Sequence, residues 1–123
     1  MRKMLIAVDS RIITEELERR FQNDYQIFFC RHGNDALQFL QQARPDVLII
    51  MLSLPGITGM KVLQETKYTP PVIIALTEYL SERVVQEAHA AGTGALIRLP
   101  CSVDYISHSL NELWTQHCKM PSS

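Results

Sequence analysis

The chain has 123 residues, 46% of them apolar, which is the size and composition of a single globular domain with a hydrophobic core. Its formal net charge of −1 provides no basic surface for nucleic acid, so we expect no direct nucleic-acid contact. The first apolar run, residues 4–8, is too short for a signal peptide or a membrane span. Three cysteines without CxxC spacing, Cys30, Cys101 and Cys118, are typical of reduced thiols, and we expect a cytoplasmic domain without membrane contact.

The first half of the chain alternates three apolar strands with amphipathic helical patterns. Strands are predicted at residues 4–8, 25–30 and 47–52. Alternation of apolar and more polar side chains in the second strand indicates a sheet edge, whereas the third is apolar throughout and is typical of a strand buried on both faces. The apolar stripes of the two intervening helices comprise Ile13, Leu17 and Phe21, and then Ala36, Leu40 and Ala43.

The second half continues the same alternation. A short helix is predicted over residues 59–66, and strands over residues 72–76 and 95–98. Ser81 and Ser102 are placed to cap the two remaining helices, and Gly92 to end the first of them. Their inward-facing residues are predicted to be Val84, Ala88 and Ala91, and then Val103, Ile106, Leu110, Leu113 and Trp114. Strict alternation of strands and helices predicts an α/β fold, a doubly wound parallel sheet of five strands with helices on both faces.

Chemistry in such a sheet belongs at the carboxyl ends of the strands, which meet at one edge. The residues that leave the first, third, fourth and fifth strands there include Asp9 and Ser10, then Met51, Thr77 and Leu99. We therefore take these five as the candidate site.

The segment from Pro45 to Gly59 resembles the phosphorylation-site strand of the two-component response regulator receiver domain. That family reads PD, a hydrophobic run, then D-x-x-x-P-x-x-x-G; Pro45, Asp46, Pro55 and Gly59 match it. Met51 stands where the family has its phospho-accepting aspartate, so the resemblance is to a degenerate receiver without an acceptor. It extends over about residues 3 to 117 and implies the chemotaxis-regulator-like, flavodoxin-like (βα)5 fold with strand order 2-1-3-4-5.

Most of the other functional residues of the family are also replaced in this chain. A receiver holds magnesium with two adjacent acids after its first strand, and here only Asp9 matches because Ser10 replaces the second. The switch hydroxyl is kept as Thr77. Leu99 replaces the lysine before the proline after the fifth strand, and Leu96 replaces the rotating aromatic three positions earlier.

These losses agree with one another physically. Magnesium prefers octahedral oxygen ligation, and one carboxylate at Asp9 is a poor site, so we expect no metal and no cofactor. Met51, Leu96 and Leu99 are predicted to turn the charged cleft into a filled, dry, apolar plug, each burial contributing roughly 1.5–3 kcal/mol.

Plainer interpretations of the same residues stay open. Asp9 or Ser10 serves as a helix cap in one of them, and the Thr77 hydroxyl binds only its own loop in another. Met51 is then core filler. Ser53 is an alternative phosphosite, and the sequence leaves open whether Ser10, Ser53 or Thr77 has a regulatory role. Asp46 is roughly 16 Å from Met51 along the strand and cannot substitute as acceptor.

We interpret the chain as a pseudo-receiver that acts in two-component signalling by protein contact and has no enzymatic activity. Its partner would be a second copy in a homodimer, a fused output domain or another signalling protein. The resemblance implies an interaction face that draws on the fourth helix, fifth strand and fifth helix. The candidate residues of this face are Tyr79, Leu80, Leu96, Arg98 and Tyr105. Residues 1–119 are predicted to form the receiver-like domain and residues 120–123 a tail or linker stub.

Two other functions remain. One is a conventional receiver that accepts phosphate at an unusual residue. The other is a flavodoxin-like cofactor binder, which needs a glycine- or hydroxyl-rich phosphate loop after the first strand. The segment from Asp9 to Thr14 contains no glycine and begins with an acid, which disfavours this alternative.

Overall fold

The computed structural model describes residues 1–119, so the predicted tail at residues 120–123 lies outside the described part. Five strands alternate with five helices. In chain order the elements are β1 (Arg2–Ala7), α1 (Arg11–Phe21), β2 (Tyr25–Cys30), α2 (Gly33–Ala43), β3 (Val47–Met51), α3 (Gly59–Glu65), β4 (Val72–Thr77), α4 (Glu82–Ala90), β5 (Ala95–Arg98) and α5 (Val103–Lys119).

The strands form one sheet in the order β2-β1-β3-β4-β5, and every neighbouring pair is parallel. This confirms the predicted fold class and strand order, and it places β2 at an edge as predicted. All residues of β3 and β4 are buried because helices cover both faces of the sheet. The central strands thus supply a rigid platform whose carboxyl ends carry the loops of the candidate site.

Three strands have different bounds from those predicted. β1 begins at Arg2 and ends at Ala7, β3 ends at Met51, one residue earlier than expected, and β4 ends at Thr77, one residue later. β1 begins early because Arg2 and Lys3 pair with Tyr25 and Gln26 of β2. The Asp46 carboxylate also accepts a hydrogen bond from the Lys3 amide at 2.8 Å, and the Asp46 amide donates to the Lys3 carbonyl at 2.9 Å. Asp46 therefore has a structural role at the amino end of the sheet.

Serine side chains begin three of the helices. The hydroxyls of Ser10, Ser81 and Ser102 each accept the amide N–H three residues later, at 3.4, 3.2 and 3.1 Å. The predicted caps at Ser81 and Ser102 are confirmed. Gly92, at a φ of 89°, follows the end of α4 as predicted, in a conformation that L side chains rarely adopt.

An aromatic cluster fixes α5 at the amino end of the sheet. The indole N–H of Trp114 donates to the Tyr25 hydroxyl at 2.8 Å, and the Arg2 guanidinium lies 3.8 Å from the Trp114 ring centroid. Phe21 packs edge-on against Tyr25. These contacts join α1, β1, β2 and α5 and stabilise the position of α5 against the sheet.

Within the described residues, no helix has both the length and the apolar character that crossing a lipid bilayer requires.

Candidate functional site

Backbone hydrogen bonds continue past the strand ends and hold the loops of the carboxyl edge together. The amide of Leu52 donates to the Leu76 carbonyl at 2.9 Å, and that of Leu99 to the Thr77 carbonyl at 2.7 Å. On the other side, Ala7 pairs with Ile50, so the two chains leave β1 and β3 side by side. The edge rule therefore correctly predicts that these strand ends share one edge of the sheet.

Asp9 is exposed, and the Ser10 hydroxyl is used to cap α1. The capping interpretation is thus confirmed for Ser10. Among the side chains that the structure describes, no three of His, Cys, Asp or Glu lie close enough to share a metal ion. With a single carboxylate and a serine engaged by backbone, this donor set does not fit a magnesium ion, which takes six oxygen ligands.

Met51 ends β3 with only 6% of its surface exposed. Gly59, the first residue of α3, lies directly against it: a Cβ atom there would be 2.1 Å from the Met51 carbonyl oxygen. The glycine that ends the matched sequence pattern is therefore required by close contact of the helix with the strand. This contact also covers the end of β3.

The loop between β3 and α3 is fastened to the start of α2. The Gly33 amide donates to the Pro55 carbonyl at 3.0 Å, and the Asn34 side chain accepts the Ile57 amide at 3.3 Å. Sequence reasoning missed this connection. Its signal is Gly33 itself, because a Cβ there would be 1.8 Å from the Ile57 carbonyl oxygen.

Thr77 is 8% exposed, and its hydroxyl forms both of its hydrogen bonds with one residue of its own loop. It donates to the Tyr79 carbonyl at 2.9 Å and accepts the Tyr79 amide at 3.2 Å. This is the local backbone contact that one of the open interpretations predicted. It fixes the turn that leaves the Tyr79 side chain 83% exposed.

The predicted single plug needs a correction, because its three side chains do not share one pocket. Met51 is buried, whereas Leu96 and Leu99 are half-buried and line two different grooves. Leu96 and Leu99 are three residues apart, and side chains at odd spacing along an extended chain point to opposite faces. Leu96 and Leu99 therefore contribute apolar area to two separate surfaces of the domain, and they do not fill one cleft.

Leu99 lines a groove of about 400 Å³ between α1 and the start of α5. Glu16 and Glu78 add carboxylates to a wall that is otherwise mainly apolar, with Pro100 and Cys101 beside Leu99. Sequence reasoning did not select Glu16 or Glu78. For Glu78 the signal was available, because it directly follows Thr77 at the same edge of the sheet.

Leu96 lies on the other side, in a groove of about 310 Å³. Four of the five residues predicted for the interaction face meet there: Leu80, Leu96, Arg98 and Tyr105 line it together. Tyr79 is adjacent in sequence to Leu80 and strongly exposed. We call these five residues the α4–β5–α5 face. Leu80 and Tyr105 are also exposed, which gives this face an apolar character.

Of the two cysteines whose side chains the structure describes, Cys101 lines both grooves and Cys30 lines neither. Cys30 and Cys101 are free, as predicted, while the side chain of Cys118 lies outside the described part. Burial, and then the Asp35 carboxylate, raises the pKa of the Cys30 thiol to about 12. Such a thiol is a poor nucleophile at neutral pH because the thiolate is the reactive form.

This pKa predicts a loss of stability in alkali. The unfolded chain releases the Cys30 proton near pH 8.5, its ordinary pKa being about that value. Since the folded protein keeps the proton to higher pH, the contribution of Cys30 is complete below about pH 8.5 and falls as the pH rises toward 12. In urea unfolding, wild type should lose stability above about pH 8.5 more steeply than Cys30→Ala. Equal slopes would contradict this.

Comparison with known proteins agrees with this geometry. A family model described as the response regulator receiver domain matches residues 4–111. The structure is similar to the chemotaxis response regulator CheY4 of Vibrio cholerae, with a TM-score of 0.81, 26% identity and coverage of 92% of this chain and 98% of that one. For the signal receiver domain of a signal transduction histidine kinase from Syntrophus aciditrophicus the values are 0.80, 25%, 100% and 97%.

A third similar structure is the DNA-binding response regulator of the LuxR family from Staphylococcus aureus, with a TM-score of 0.81 and 19% identity over 92% of this chain and 98% of that one. At this identity the likeness concerns the fold alone. The three neighbours share the sheet and helix arrangement found here over nearly the whole chain.

Proposed function

This chain belongs to the response regulator receiver domain family of two-component signalling, and from that premise we propose that it acts as a pseudo-receiver, by protein contact and without aspartyl phosphorylation. The observation that carries the proposal is that a buried methionine, Met51, stands at the acceptor position. It occupies the end of β3, where the family has its acceptor aspartate, and it is 6% exposed. Its backbone lies directly against the start of α3. A thioether has no oxygen with which to form an acyl phosphate.

The surroundings of Met51 support the same proposal. The only carboxylate of the matched acid pair is Asp9, and the residue beside it caps α1, so magnesium lacks the ligands that it takes in phosphoryl-transfer sites. Leu99 removes the cation that would face a phosphoryl group. A receiver active site uses the acid pair, the acceptor aspartate and the lysine together. Of these charged groups, this edge of the sheet retains Asp9 alone.

Thr77 supports the proposal by a different route. In the family the switch hydroxyl turns toward the phosphoryl group, whereas here both hydrogen-bonding functions of the hydroxyl are satisfied by Tyr79. Turning it away would break the part-buried hydrogen bond to the Tyr79 amide, at a cost of about 1 kcal/mol. The arrangement favours one fixed loop conformation.

Signalling by contact is supported by the α4–β5–α5 face. Tyr79, Tyr105 and Arg98 are of the residue types that carry binding energy at protein interfaces, and the exposed Leu80 adds apolar area. We propose that this face binds a protein partner in the cytoplasm: a second copy, a fused output domain or another signalling protein. The domain would then be a binding module and not an enzyme.

Amide NMR of the full chain tests the proposal. Spectra are recorded before and after adding magnesium, and again after adding beryllium fluoride, a phosphoryl mimic. We expect no saturable shifts at Asp9, Met51 or Thr77, and the same spectra for Asp9→Asn as a matched control, since Asp9 is exposed. Saturable shifts at these positions in wild type that Asp9→Asn lacks would overturn the proposal and favour a receiver that still binds phosphate.

A further inference from the structure

The outer side of β2 presents unpaired backbone groups. Among the described residues β2 pairs only with β1. The Val8 amide donates to the Cys30 carbonyl at 3.2 Å, so the backbone of Cys30 faces β1. Because successive residues of a strand alternate, the N–H and C=O groups of Tyr25, Ile27 and Phe29 face away from the sheet. Three evenly spaced donor and acceptor pairs are therefore available to another strand.

This edge lacks the features that protect edge strands from pairing. The six residues of β2 include no charged residue and no proline, and Phe29 is 44% exposed. The opposite edge differs: β5 has only four residues and ends with the exposed Arg98. An uncharged strand rich in aromatic and β-branched residues is a good partner for a second strand.

The charged residues at the two ends of β2 indicate which strand can pair with it and in which direction. Asp24 precedes the strand and Arg31 follows it, and both are exposed. Among the side chains that the structure describes, those of residues 1–117, neither has an ion-pair partner within 4.0 Å. In an antiparallel pair of identical strands, each Asp24 lies near the other copy's Arg31. A parallel pair would place Asp24 beside Asp24.

We propose that β2 pairs antiparallel with β2 of a second copy, so that the two sheets join into one. A register centred on Ile27 satisfies the outward backbone groups. It pairs Ile27 with the partner's Ile27 and Tyr25 with the partner's Phe29, and all of these residues have outward-facing N–H and C=O groups. It also places an aromatic pair at each end of the ladder, close to the Asp24 and Arg31 charges.

This interface is separate from the α4–β5–α5 face, which lies at the opposite edge of the sheet. The β2 pairing uses none of the five candidate-site residues, so it does not depend on whether the domain is phosphorylated. A second copy bound at β2 would leave Leu80 and Tyr105 free for another partner.

Sedimentation velocity of the full chain over a concentration series tests the pairing. We expect a reversible dimer in wild type, weakened roughly tenfold by Phe29→Lys, which adds a charge to the edge. Asp24→Lys and Arg31→Glu should each weaken the dimer by roughly fivefold, and the double variant should restore it, because the ion pairs re-form with reversed charges. Tyr105→Lys is the matched control on the other face and should leave this dimer unchanged.

Amide hydrogen exchange at high and low protein concentration identifies the backbone groups involved. The Ile27 and Phe29 amides should be protected only at dimer-forming concentrations, whereas the Gln26 and Phe28 amides, which face β1, should be protected at both. Circular dichroism verifies that each variant is folded. A protein that remains monomeric throughout, a dimer abolished by Tyr105→Lys but not by Phe29→Lys, or Ile27 and Phe29 amides that stay unprotected in the dimer would each overturn the proposal.

Discussion

Replacing Met51 with aspartate is expected to lower the free energy of unfolding by about 3 kcal/mol or more, even though aspartate is the residue that the family has at this position. Met51 is 6% exposed, and a carboxylate placed there enters apolar surroundings with no lysine opposite, because position 99 is leucine. Burying an unpaired charge costs several kcal/mol after relaxation.

Met51→Asn and Met51→Leu separate charge from size in this experiment. Asparagine has nearly the shape of aspartate without its charge, so the difference between the two variants reports the cost of ionisation. Leucine preserves volume and should cost less than about 1.5 kcal/mol. Urea unfolding at neutral pH and at about pH 4 completes the test, because protonation should reduce the penalty in Met51→Asp alone. A Met51→Asp protein as stable as Met51→Leu would show that this end of β3 accepts a charge.

Gly59→Ala is the second change with a large expected effect. The added Cβ would lie 2.1 Å from the Met51 carbonyl oxygen and 2.9 Å from the Leu52 Cα, both of them backbone atoms that cannot rotate away. The start of α3 must therefore move from β3, which we expect to cost about 3 kcal/mol, at the upper end of the range for overpacking. Thermal and urea unfolding measure the effect.

Gly92→Ala is the control for this prediction. Gly92 has a φ of 89°, but no atom lies within 4 Å of an added Cβ, so only backbone strain remains. That strain should cost roughly 1–2 kcal/mol. If Gly59→Ala were no more destabilising than Gly92→Ala, the close contact between α3 and the end of β3 would not be a determinant of the site.

The fold could be predicted largely because its determinants are local. Apolar strands of four to six residues, serine caps at Ser81 and Ser102 and the glycine after α4 all act within a few residues of the chain. The strict alternation of strands and helices then requires a parallel sheet. The order of the strands came from the resemblance around Pro45 and Gly59, because periodicity alone does not specify which strands are neighbours.

What could not be predicted depends on contacts between distant parts of the chain. The sequence predicts Met51, Leu96 and Leu99 in one cleft, but only the packing of α1, α5 and the loop before α4 determines that Leu96 and Leu99 line separate grooves. Likewise, Trp114 and Tyr25 are 89 residues apart and their hydrogen bond has no local signal. The partner of the Thr77 hydroxyl is local, and the interpretation that named its own loop is the one that the structure supports.

The most direct test of the central claim is the intact mass of the full chain after incubation with magnesium and a small phosphodonor, beside a receiver domain that retains its acceptor aspartate. We predict that the mass of this protein stays unchanged while the control gains a phosphoryl group. A gain of one phosphoryl group by this chain, lost again on mild hydroxylamine treatment as expected for an acyl phosphate, would contradict the account.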